Sequence, residues 1–123
     1  MKEIKLSIIV PVYNAAEYVG KCLESVALQD YKNIEIIIVN DCSVFEEDEK
    51  IILEYASKDN RIKYIKHKEN MGDGAARMTG LKEAKGYSVL FADGDDYMSL
   101  DLIEIVIFEM IKNNVDIVCY NFF

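Results

Sequence analysis

The chain of 123 residues is long enough for one domain with its own core, and short for an enzyme that must hold two substrates. With 51% hydrophobic and 29% charged residues, six glycines and one proline, neither disorder nor low complexity is indicated. Fourteen basic against 22 acidic side chains give a net charge of −8, which excludes the broad phosphate-neutralising surface of a nucleic-acid-binding protein. A phosphate-bearing ligand would have to be met by a metal, by backbone N–H groups or by a single arginine. Cys22, Cys42 and Cys119 are odd in number and widely spaced, which fits neither a disulfide framework nor a zinc site and points to a reducing, cytoplasmic setting. No run approaches the roughly 18 apolar residues of a membrane span. The chain reads as soluble, with any association at the inner face of a membrane left to a partner or to segments beyond this stretch.

Leu6 to Val12 is a continuous apolar, β-branched run, the pattern of a strand buried on both faces. Asn14 followed by Glu17 has capping-box spacing, and Val19, Cys22, Leu23 and Val26 recur at helical intervals after it. Gln29 to Asn33 is a polar connector. Ile34 to Val39 is a second buried strand, ending in Asn40-Asp41. Glu46 to Ser57 carries acids in its first turn, as a solvated helix start does, and an apolar set at Ile51, Ile52, Tyr55 and Ala56. Arg61 to His67 alternates less regularly and is expected nearer a sheet edge, with His67 as a surface residue of no catalytic role. Asn70 to Gly74 is a turn, and Ala75 to Lys85 is a helix whose Ala75, Ala76, Gly80 and Ala84 predict close packing.

Tyr87 to Ala92 is a fourth strand. Leu100 to Lys112 is a strongly apolar helix whose stripe is Leu102, Ile103, Val106, Ile107, Met110 and Ile111. Ile105 and Phe108 lie beside that stripe and leave a surface open to burial against a second copy or a missing segment. Val115 to Tyr120 is expected as one more strand. Strands alternating with helices through short connections give an α/β domain with a mostly parallel, doubly wound sheet and helices on both faces. Ligands of such sheets bind at the carboxyl ends of the strands.

Between the fourth strand and the last helix, Asp93-Gly94-Asp95-Asp96 places three carboxylates in four residues, with Gly94 letting the backbone bend. Like charges so close raise one another's pKa unless a proton or a hard divalent cation lies between them. On spacing alone the turn serves equally as a polar cap for the helix that follows.

Four strand ends in order, Ser7 to Asn14, Ile36 to Ser43, Asn70-Met71-Gly72 with Ala76-Arg77, and Asp93 to Asp96, resemble the nucleotide-binding half of the family 2 glycosyltransferases, which have the GT-A fold. The resemblance covers most of residues 1–123 and implies a Rossmann-like, nucleotide-sugar-binding part, with the acceptor-binding half absent. It implies that the backbone of Pro11, Val12 and Tyr13 lines a uracil ring and that Asp41 accepts its N3–H. Asn70 and Gly72 then shape the wall near the nucleoside, and Arg77 contacts either the acidic turn or the nucleotide. Asp93 approaches the ribose and the metal, and Asp95 ligates Mn²⁺ or Mg²⁺ on the donor diphosphate. Asp96 either assists or caps.

The family usually has two aspartates and a glycine where this chain has Asn40-Asp41-Cys42, and an asparagine where it has Met78. The partners implied are a nucleotide-sugar donor, UDP-linked by preference, and a glycan or other hydroxyl acceptor, in polysaccharide or cell-surface glycan synthesis by an inverting transfer. The family's general base lies beyond the metal motif, so no catalytic residue is expected within this chain. A catalytically silent nucleotide-binding or assembly module is the alternative. A receiver-like signalling domain fits less well, because Pro11-Val12-Tyr13-Asn14 stands where its acidic pair belongs.

Overall fold

The computed structural model describes residues 4–119. Four strands and four helices alternate as β1 (Leu6–Val12), α1 (Ala16–Ala27), β2 (Ile34–Asn40), α2 (Glu47–Lys58), β3 (Ile62–Lys66), α3 (Asp73–Glu83), β4 (Ser88–Phe91) and α4 (Leu102–Asn113). The strands form one parallel sheet in the order β3-β2-β1-β4, with Ile8 of β1 beside Ile36 of β2 and Leu90 of β4. The doubly wound arrangement expected from the pattern is present, and β3 lies at an edge.

Every residue of β1 and β2 is buried, which is why both runs are apolar without alternation. Leu6, Ile8, Val10 and Val12, with Ile34, Ile36 and Ile38, face a core closed by Val19, Cys22, Leu23 and Val26 of α1, Ile52 of α2, and Ile103 and Ile107 of α4. The opposite face is thinner. Ile9, Ile37 and Val39 pack there against Ala76 of α3. The small residues of α3 act as expected: a Cβ on Gly80 would lie 2.4 Å from Cγ2 of the fully buried Ile9, so this helix reaches the sheet only because position 80 has no side chain.

One charge breaks the apolar run of β2. Glu35 is buried on the α3 side, where its carboxylate accepts from the Ser7 hydroxyl and the Lys85 amide while Lys63 Nζ lies 3.4 Å away. Burial pushes its pKa up, but the hydrogen bonds from Ser7 and Lys85 and the charge of Lys63 outweigh this and hold it below the usual 4.5. Gln29 is likewise no solvated connector. It is fully buried, donating to the Ser25 and Ser99 carbonyls and accepting from Ile103 N, and so ties the end of α1 to the start of α4.

Several expectations need correction. The Asn14–Glu17 capping box does not form: Ala15 is the N-cap residue of α1 without a side-chain cap, and Asn14 has φ 49°. In its place Asp48 of α2 accepts the Ala15 N–H at 2.8 Å. Asp48 is therefore wholly buried, not part of a solvated helix start. Helix α3 begins at Asp73, two residues earlier than expected, and α4 at Leu102. Met110 and Ile111 do not join the buried stripe of α4, whereas Ile105 and Phe108, each 51% exposed, stand outside it as expected. No strand forms over residues 115–119, and Tyr120 with Asn121, Phe122 and Phe123 lies outside the described residues.

Two outcomes follow from this packing. Gly80→Ala must displace Ile9 from a closed layer, so urea unfolding should show a loss of about 1–3 kcal/mol. The depressed pKa of Glu35 contributes stability that is complete above about pH 4.5 and is lost as pH falls through the folded-state value. Thermal midpoints measured from pH 6 downward should therefore fall less steeply in Glu35→Gln than in the wild type.

Candidate functional site

The carboxyl ends of the strands are stitched together by backbone hydrogen bonds that extend the sheet. Asp41 N donates to Val12 O at 2.8 Å, His67 N to Asn40 O at 2.9 Å, Ala92 N to Ile9 O at 2.9 Å and Gly94 N to Pro11 O at 3.2 Å. The four loops therefore leave the sheet at one level. A cleft of about 400 Å³ opens there, lined by Pro11, Tyr13, Asn14, Tyr18, Asp73, Asp93 and Asp95 among others.

The floor of the cleft is the loop from β1 to α1. Asn14 takes a left-handed backbone, its side-chain carbonyl accepts Val44 N at 2.8 Å, and its own N–H donates to Ser43 Oγ at 3.1 Å. The Ser43 hydroxyl in turn donates to Asp48, which also takes the Ala15 amide. This network fixes the path of residues 13–15. Tyr13 and Tyr18, 42% and 50% exposed, turn aromatic surface toward solvent beside it. Val12 contributes backbone only, since its side chain is in the core.

The acidic turn forms the opposite wall. Oxygens of Asp93, Asp95 and Asp96 can be chosen so that all lie within 4.8 Å of one another. Asp96 N donates to Asp93 O at 2.9 Å and Asp96 Oδ2 accepts Asp93 N at 3.1 Å, so Asp96 closes the turn on itself and does not cap α4. Arg77 of α3 donates to Asp93 Oδ1 at 3.2 Å, with its guanidinium 6.0 Å from the centre of the Phe91 ring. Arg77 thus contacts the acidic turn. Gly94 serves by its size: a Cβ would stand 3.2 Å from Val12 Cγ2 and 3.3 Å from Pro11 O, and its φ is not in the left-handed region.

Crowding leaves an electrostatic signature. The Asp96 carboxyl is raised above its usual value by burial and by the charges of Asp93 and Asp95. Cys22 beneath the turn, whose Sγ is 3.4 Å from Asp93 O, is pushed up to about 12 by burial and the same three carboxylates. An oxygen-only set of three crowded carboxylates, with Arg77 paired to Asp93, fits a hard divalent cation such as Mn²⁺ or Mg²⁺.

Asp41, Asn70 and Gly72 lie at the end of β2 and before α3. Asp41 is 3% exposed, and its carboxylate accepts Met71 N and Gly72 N, each at 2.8 Å, while His67 Nδ1 lies 2.7 Å from its Oδ1. Burial pushes the Asp41 pKa up, but these donors outweigh it and hold the group below its usual value. Asn70 is exposed, and Gly72 has φ 95°, a conformation few side chains tolerate.

Sequence reasoning missed Asp48, Tyr18, Asp73 and the role of His67. Two signals were available. Asp48 precedes Ile52 by four residues and so shares its buried helix face, and His67 follows Ile65 by two and so shares its sheet face toward α3.

The architecture is thus that of a doubly wound α/β protein with an acidic cleft at its strand ends, the class that binds its ligands at that rim. A family profile described as glycosyl transferase family 2 matches residues 7–123, and the chain belongs to that family. Glycosyltransferase GlyA of Streptococcus pneumoniae serotype 4 is 43% identical over 119 residues, 97% of this chain and 17% of that protein. EpsJ of Bacillus subtilis, also a glycosyltransferase, is 41% identical over 118 residues, 96% of this chain and 34% of its own length. The chain therefore spans about a sixth to a third of these relatives.

Residues 1–349 of TarS from S. aureus, in complex with UDP-GlcNAc, superpose with a TM-score of 0.83 at 34% identity, over 89% of this chain and 32% of that one. A mannosyltransferase from Pyrobaculum calidifontis, in complex with GDP-Man and Mn²⁺, superposes with a TM-score of 0.82 at 22% identity over 89% of this chain and 33% of its own, a likeness of fold.

The cleft floor makes its own prediction. Asp48→Ala strands the Ala15 amide and the Ser43 hydroxyl, so equilibrium unfolding should show a loss of about 1–3 kcal/mol.

Proposed function

We propose that this chain is the nucleotide-sugar-binding part of a family 2 glycosyltransferase, holding the donor for transfer of its sugar to a glycan or other hydroxyl acceptor. The observation that carries the reading is that Pro11, Tyr13, Asp93 and Asp95, contributed by the ends of β1 and β4, line one cleft at the rim where such sheets bind ligands. The likeness to TarS with UDP-GlcNAc supports a UDP-linked donor.

In this reading the Pro11–Tyr13 backbone lies along the base. Asp41 has three of about four lone-pair sites engaged, which leaves one acceptor position for a ring N–H such as that of uracil. Asn70 and Gly72 wall the nucleoside. Asp93 serves the ribose and, with Asp95, the cation, while Arg77 holds Asp93 in place. A bound Mn²⁺ or Mg²⁺ would stabilise the negative charge that grows on the departing diphosphate. The chain's own part is to orient the donor and keep its diphosphate against the acidic turn. The base that deprotonates the acceptor comes from outside these residues, and the transfer inverts the anomeric centre.

Isothermal titration of UDP and of GDP, each with and without Mn²⁺, tests the assignment. Binding of UDP should require the metal, exceed that of GDP, and fall at least about tenfold in Asp95→Ala. Metal-independent binding, or none lost in the variant, would remove the metal role from this turn.

A further inference from the structure

We infer that His67 is a positioning residue for the nucleoside wall, acting through Asp41 rather than on the ligand. It is the chain's single histidine, and its side chain is only 8% exposed. Both ring nitrogens are engaged: Nδ1 lies 2.7 Å from Asp41 Oδ1, and Nε2 lies 2.7 Å from Thr79 Oγ1, which itself reaches Ala75 O at 3.0 Å. An ionised carboxylate only accepts, so Nδ1 carries the proton of the first bond.

Three elements meet on the Asp41 carboxylate. It extends β2, it receives His67 from the end of β3, and it takes the Met71 and Gly72 amides from the loop that opens α3. Among the described residues those two amides have no other partner, and Gly72 sits at φ 95°, so the loop's path depends on where the carboxylate points. The orientation of Asp41 is in turn set by His67, and that of His67 by Thr79 on α3. Thr79, His67, Asp41 and the 71–72 amides thus form one chain of hydrogen bonds whose last member is the wall assigned above to the nucleoside. This inference deepens that assignment and rests on it for its consequence in binding. The loop-positioning step itself does not.

The ring geometry supplies a discriminating test. An asparagine amide reaches the place of Nδ1 and keeps the donor to Asp41, whereas a glutamine amide reaches the place of Nε2 and keeps only the contact with Thr79. Amide hydrogen exchange and UDP titration would be measured on the full chain as wild type, His67→Asn and His67→Gln, with thermal midpoints alongside. In His67→Gln the Met71 and Gly72 amides should exchange at least about tenfold faster and UDP affinity should fall about tenfold, whereas His67→Asn should stay within about threefold of wild type in both.

Unchanged protection of the two amides in His67→Gln overturns the inference. So does an equal loss in both variants that tracks their thermal midpoints, since that is the mark of general destabilisation. Failure of the wild type to bind UDP would instead overturn the nucleotide reading, while the exchange measurement still decides the positioning role.

Discussion

A carboxylate taken out of water at the end of a buried strand must find donors or lose its charge. Asp41 finds three, from two places in the chain: the ring of His67 after β3, and the adjacent amides of Met71 and Gly72 before α3. Residues 26 to 31 positions apart in sequence are thereby locked at one point. That point adds to the bond from His67 N to Asn40 O and to the close packing of Gly80 on Ile9, which also tie the β3 to α3 connection to the sheet. The low pKa of Asp41 expresses the same fact, because a group stabilised as an anion is one whose surroundings were built for the anion.

The acidic turn shows the opposite condition. Its carboxylates repel each other, and burial together with their charge raises Asp96 and the thiol of Cys22 beneath it. Among the described residues one cation, Arg77, touches the group, and part of its guanidinium lies over Phe91. A satisfied anion after β2 and a crowded anionic turn after β4 therefore share the carboxyl rim of one sheet, with Asp93 and Asp95 of the turn lining the cleft.

Much of this was legible in the sequence, for definite reasons. Strands buried on both faces write themselves as unbroken apolar runs, so Leu6 to Val12 and Ile34 to Val39 were plain, and the order of strand ends pointed to the family. What could not be read were polar contacts made at long range. Asn14 and Glu17 have the right spacing for a capping box, yet Asn14 takes a left-handed backbone and bonds to Val44, thirty residues away. Asp48 sits among Glu46, Glu47 and Glu49 and looks like one more solvated acid. Only the fold brings Ala15 and Ser43 to it. The spacing from Ile65 gives the face of His67, but its partners, Asp41 and Thr79, lie on elements that only the fold brings to it. The strand expected over Val115 to Tyr120 was read from composition, and composition does not say whether a neighbour is there to pair with.

The two borders of the sheet are chemically unlike. At β3 the side chains of Lys63 and Lys66 stand half in water, paired with Glu35 and Glu49, and a charged border of this kind discourages another strand from adding. At β4 the residues turned to the α3 side are Val89 and Phe91, 37% and 41% exposed, and among the described residues no strand pairs with its outer side. The sheet is thus guarded against growth on one side and receptive on the other. A polypeptide that lengthens this domain by strand addition meets a ready template at β4, next to the acidic turn, so that whatever joins there arrives beside the acidic cleft.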